Sequence, residues 1–106
     1  MKVFLSGSKT IRFLPDKLTS LLDSFCAQNC EFLIGDCYGA DILMQKYLLG
    51  KSYPHVTVYV SGEHVRQHVS AYLVKHISVP EGTEGFALNR QKDIAMVQDC
   101  DEEVML

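Results

Sequence analysis

Two carboxylates, a thiol and a phenol are crowded between two glycines in Gly35-Asp36-Cys37-Tyr38-Gly39-Ala40-Asp41. The segment joins an apolar run to a helical pattern without room for a long loop. Gly35 can let the chain turn sharply and Gly39 can let backbone approach a ligand. The helix amino terminus then offers unpaired N–H groups to an anion such as a phosphate or carboxylate. Asp36 and Asp41 oppose an anion unless they accept hydrogen bonds from ribose hydroxyls or base amino groups, or serve to cap the helix. Capping is the plain structural alternative for Asp41, and Asp36 is the better candidate to face a ligand.

Gly7-Ser8-Lys9 supplies a second element, in which Ser8 can donate a hydrogen bond and Lys9 can neutralise charge. The alternative for Lys9 is a solvated surface lysine. A third element is Arg90, Lys92 and Asp93, read as lying near the start of the last helix, where Asp93 could equally be an ordinary first-turn acid. Other chemistry-bearing residues carry less. His64 and His68 share the four-residue spacing of a helical metal pair, but no third ligand accompanies them. Cys26 and Cys30 fall in the apolar pattern of a helix and read as core. Cys37 lies in the proposed pocket without a histidine partner for a catalytic thiol. No metal and no cofactor are expected.

These residues need strands and helices to bring them together. Lys2 to Ser6 and Glu31 to Gly35 are short apolar runs closed by glycine, and Val56 to Ser61 is rich in β-branched and aromatic residues, so all three read as strands. Helical spacing runs from Asp16 to Asn29, with Pro15 and Asp16 as start signals, and from Ala40 to Leu49. Between Glu63 and Gly85 the pattern suggests a helix over Val65 to Leu73, an extended piece over Lys75 to Val79 and a turn at Pro80-Glu81-Gly82. Leu88, Ile94, Met96 and Val97 indicate a helix from Phe86 to Gln98. Glu103 to Leu106 reads as the beginning of a fourth, buried strand, and a domain cut short after that strand is expected. Alternating strands and helices imply parallel pairing. The expected fold is therefore α/β, a Rossmann-like three-layer sandwich with a mostly parallel central sheet, forming one domain over residues 1–106.

The 106 residues suffice for one core, and a hydrophobic fraction of 47% with 22% charged residues is ordinary globular usage. No apolar run approaches the ~20 residues that span a bilayer, and the amino terminus lacks an apolar leader. A cytoplasmic protein with four reduced cysteines and no membrane association is expected. A net charge of −3 argues against a nucleic-acid partner, so any anion binding must be local.

Gly7-Ser8-Lys9 after the first strand, Gly35 to Asp41 after the second, the Val56 to Ser61 strand, and Lys92-Asp93-x-x-Met96 with Asp101 resemble the YspA-type branch of the SLOG superfamily. Lonely Guy phosphoribohydrolases and DNA-processing protein A proteins are members of that superfamily. The resemblance spans nearly the whole chain in the same order. It implies a Rossmann-like domain that binds a small nucleotide-like ligand, with Gly7, Ser8, Gly35, Asp36, Gly39, Ala40 and Asp41 around the pocket. Lys9, Tyr38, Lys92 and Asp93 complete the candidate set. Lys9 departs from the branch's usual arginine and loses its two-pronged hydrogen bonding. Cys37 replaces a small alanine, and no Gly-Thr phosphate loop follows the last strand. Two functions are open. A binding or sensing module needs no nucleophile and base, whereas an N-glycosidic hydrolase would use Asp36, Asp41 or Asp93 to stabilise a cationic sugar or activate water. Relatives that share pockets across subunits also make a homo-oligomer an expectation.

Overall fold

The computed structural model describes residues 1–62, 72–79 and 85–105, for 85–89 and 105 the backbone alone. Among the described residues five strands, β1 (Lys2–Ser6), β2 (Glu31–Gly35), β3 (Val56–Ser61), β4 (Leu73–Ile77) and β5 (Glu102–Met105), and three helices, α1 (Asp16–Ala27), α2 (Ala40–Gly50) and α3 (Gly85–Asp99), follow in the order β1-α1-β2-α2-β3-β4-α3-β5. Every strand pair is parallel and the order across the sheet is β4-β3-β2-β1-β5. The fold is α/β and Rossmann-like, as the alternation of elements implies.

This order fixes where a site can form. The chain walks from β1 outward to β4, then returns past its starting strand to place β5 on the other side of β1. Right-handed crossovers put helices on opposite faces when the direction of travel reverses. Side-chain alternation shows the outcome. Val3, Leu5, Phe32, Ile34, Val56, Val58 and Val60 pack with Leu18, Leu22 and Phe25 of α1 and Met44 and Leu48 of α2. Phe4, Leu33 and Tyr59, one residue out of phase, pack with Met96 of α3 on the other face. All strands deliver their carboxyl ends to one edge, and the reversal at β1 leaves a crevice there.

The three strands read from apolar runs stand where expected, because a strand buried on both faces is continuously apolar. The start of α1 also stands, with the Pro15 carbonyl accepting from the amides of Leu18 and Thr19. Asn29, in the left-handed region at φ 57°, turns the chain out of α1 into β2. Elsewhere the structure corrects the sequence reading. Leu73 begins β4 and is not helical; residues 65–71 of the expected helix and the Pro80-Glu81-Gly82 turn lie outside the described residues. The last strand is therefore the fifth, and it is an edge strand with Glu102 and Glu103 exposed, not a buried one. Lys75 on β4 and the two glutamates on β5 put charged side chains on both outer strands, a pattern that discourages strand addition.

Two polar struts fasten elements together. The Asp99 carboxylate at the end of α3 accepts from the Tyr59 hydroxyl at 2.6 Å and from Lys75 Nζ at 3.1 Å. On the opposite face Asp23 of α1 accepts from Tyr47 of α2 and pairs with Lys51. No helix among the described residues is long and apolar enough to cross a membrane.

Candidate functional site

The turns after β1 and β2 meet at the carboxyl edge of the sheet. The Ala40 amide, the first of α2, donates to the Ser8 carbonyl at 3.0 Å. Gly39 makes the approach possible: its φ is 78°, and a Cβ there would lie 2.5 Å from the Ser8 carbonyl oxygen and 2.6 Å from Lys9 backbone atoms. The glycine thus admits the neighbouring turn, where the sequence reading had it admit a ligand. One helix-terminal N–H expected to be free for an anion is likewise spent on protein.

Gly35 has a different reason again. Its conformation is ordinary extended strand, but a Cβ would stand 2.7 Å from Asp41 Oδ2 and 3.2 Å from Lys92 Nζ. The missing side chain leaves room for a carboxylate and an ammonium group above the strand end. Asp41 accepts from the Cys37 amide at 3.1 Å, so it ties the turn to the first turn of α2 from inside the helix, while Gly39 occupies the capping position. Burial pushes the Asp41 carboxyl up from its usual range, and the Cys37 amide and Lys92 only partly offset this. Gln45, fully buried, donates to the Gly35 carbonyl at 3.0 Å and holds the strand end from behind.

Lys92 is 2% exposed, which is unusual for a lysine. Burial alone would lower its pKa, but Cys37, Asp93 and Asp41 together outweigh that and raise it, so the ammonium stays charged. It pairs with Asp93 Oδ1 at 3.1 Å, and its own amide donates to the Ser61 hydroxyl at the end of β3. Because α3 begins at Gly85, Arg90, Lys92 and Asp93 sit in its middle, and Asp93 is not a first-turn acid. The helix thereby lays Lys92 across the ends of β1 and β2.

Two adjoining cavities result. The smaller, about 110 Å³, lies over the ends of β1 and β2 and is lined by Gly7, Lys9, Gly35, Asp41, Lys92 and Asp93 among others. The larger, about 620 Å³, shares Lys9, Cys37, Lys92 and Asp93 with it and extends along α3 past Arg90, Ile94, Val97 and Gln98. Three cations line the larger cavity against a single carboxylate, Asp93, among the described residues.

Six of the candidate residues therefore converge: Gly7, Lys9, Gly35, Asp41, Lys92 and Asp93. The other five have different places. Ser8 is exposed, its hydroxyl paired with Thr10 at 2.9 Å. Tyr38 is 62% exposed and lines neither cavity. Asp36, 1% exposed, is buried in the turn, and Gly39 and Ala40 join the two turns. Cys26 and Cys30 lie in the core, Cys30 fully and Cys26 at its margin. His64 and His68 are outside the described residues.

The sequence reading passed over the wall contributed by α3. Ile94 and Val97, used there only as spacing that indicates a helix, are 39% and 49% exposed. The helical spacing of Arg90, Ile94, Val97 and Gln98, which puts them on one face, was the available signal. No family model, curated protein or solved structure matches this chain.

Proposed function

We propose that this domain binds a small phosphorylated, nucleotide-like molecule in the crevice beside β1, acting as a binding or sensing module. The observation that carries the reading is the convergence of Lys9, Arg90 and Lys92 on one cavity in a chain whose net charge is −3. Positive charge concentrated against the overall balance, with Lys92 buried and Lys9 and Arg90 exposed to solvent, selects an anion locally. The apolar wall of α3 gives that anion's remaining body a surface to rest on. The resemblance to the SLOG superfamily supports the same reading.

Calorimetric titration with nucleoside 5′-monophosphates and ribose 5-phosphate tests it. Saturable binding that weakens about tenfold or more in Lys9→Ala is expected, a lost charge-assisted contact being worth about 1.5–3 kcal/mol. Absence of binding by every phosphorylated compound would reject the reading.

One observation favours a second reading, cleavage of an N-glycosidic bond. Asp41 and Asp93 both line the smaller cavity, so two carboxyl groups stand over the ends of β1 and β2, the kind of group that stabilises a cationic sugar or activates water. Release of free base from a nucleoside monophosphate, abolished in Asp41→Asn, would establish it. Release unchanged in that variant would remove Asp41 from the reaction.

A further inference from the structure

The larger cavity is chemically divided along its length. Where it joins the smaller one it is ionic, with Lys9, Lys92 and Asp93; away from that junction Arg90 is followed along α3 by Ile94 and Val97, with Gln98 beside them. Ile94 and Val97, 39% and 49% exposed on a helix whose Met96 is 1% exposed, lie on its outer flank and face the cavity. At positions 90, 94, 97 and 98 they form one stripe with Arg90, roughly 12 Å long at 1.5 Å per residue. An inorganic anion occupies only a fraction of that length.

We infer that the flank of α3 formed by Ile94, Val97 and Gln98 is a subsite for a flat heterocyclic base, read from one side by the Gln98 amide. The inference rests on the anion-binding reading above and adds which end of the ligand lies where. The phosphate end meets Lys9 and Lys92 at the mouth of β1, and the ring lies against Ile94 and Val97. A primary amide both donates and accepts, so it suits a base edge that presents both kinds of group. Burying the planar face of a base on two aliphatic side chains supplies affinity that a sugar phosphate lacks. Discrimination among bases then resides in α3, not in the turns after β1 and β2.

The test compares affinities of the four common nucleoside 5′-monophosphates and ribose 5-phosphate for the wild-type chain, for the double variant Ile94→Ser/Val97→Ser and for Lys9→Ala. Both apolar positions are substantially exposed, so the double variant is expected to keep its fold, which circular dichroism and thermal melting verify. For the wild type, at least one nucleotide is expected to bind about tenfold more tightly than ribose 5-phosphate. In the double variant that advantage disappears while ribose 5-phosphate binding is unchanged, and Lys9→Ala weakens both. Equal wild-type affinity for ribose 5-phosphate and all four nucleotides would overturn the base subsite while leaving the anion reading standing. A double variant that loses ribose 5-phosphate and nucleotide binding equally would overturn it too. Failure of all five compounds to bind would reject both readings.

Discussion

Gly39 and Gly35 are four residues apart and do unrelated work. At Gly39 a Cβ would collide with backbone of the turn after β1, on top of a φ of 78°. Neither obstacle can be relieved by a side-chain rotation, so Gly39→Ala is expected to cost about 2–4 kcal/mol in urea unfolding. At Gly35 the atoms met are the ends of the Asp41 and Lys92 side chains, which can swing aside. Gly35→Ala should lose less stability than Gly39→Ala yet distort the smaller cavity, so phosphate affinity falls. Equal destabilisation by the two substitutions would contradict this distinction. Asp41 provides a third residue-level test. Its folded pKa is raised, so its protonated form is the one folding favours: that contribution is present below the ordinary value of 3.8 and is lost as pH rises through the folded value. Asp41→Asn keeps an acceptor for the Cys37 amide without the buried charge, and stability at pH 7 is expected to be unchanged or higher. Asp41→Leu strands that amide and should cost about 1–3 kcal/mol.

Among the elements, α3 has the most to explain. Its outer face carries the proposed base subsite, its inner face buries Met96, and its carboxyl end is pinned to β3 and β4 through Asp99. The Tyr59 hydroxyl and Lys75 hold the Asp99 carboxyl below its ordinary value of 3.8. The stabilising form is therefore the ionised one, fully effective above that value and lost as pH falls through the folded pKa. Asp99→Asn should lower stability at pH 7 and flatten the loss of stability that the wild type shows below pH 3.8; an acid-unfolding curve of unchanged shape would dismiss the strut. On the opposite face, Leu22 of α1 is fully buried against the sheet, and Leu22→Ala is expected to cost about 2–5 kcal/mol. The sequence exposed some elements more readily than others for reasons visible here. β1, β2 and β3 are buried on both faces and read as unbroken apolar runs. β4, Leu-Val-Lys-His-Ile, is an edge strand whose lysine and histidine interrupt that signal. α3 spreads its apolar residues around its circumference, so the pattern announced a helix without telling its inner face from its outer one.

For the molecule as a whole, the decisive property is the order of the strands. It was only partly legible, since alternation implies a parallel sheet but does not say which side of β1 receives the last strand. The turns at Gly7–Lys9 and Gly35–Asp41 were identifiable from composition, because glycine, aspartate and lysine beside apolar runs are unusual. The burial of Lys92 was not, as it depends on how α3 crosses the strand ends. The same crossing also sets a balance of charge that experiment can read. Binding of a phosphate compound should weaken with salt, yet less steeply than for exposed lysines alone, because Lys92 is withdrawn from the ionic atmosphere. The hydrogen bond from the Ala40 amide to the Ser8 carbonyl, finally, makes a single mechanical unit of two turns separated by a strand and a helix. Deuterium can enter at that one amide only when the turns part. Its exchange rate should thus serve as a clock for the opening of the crevice, slowing when an occupant holds Lys9 and α3 together.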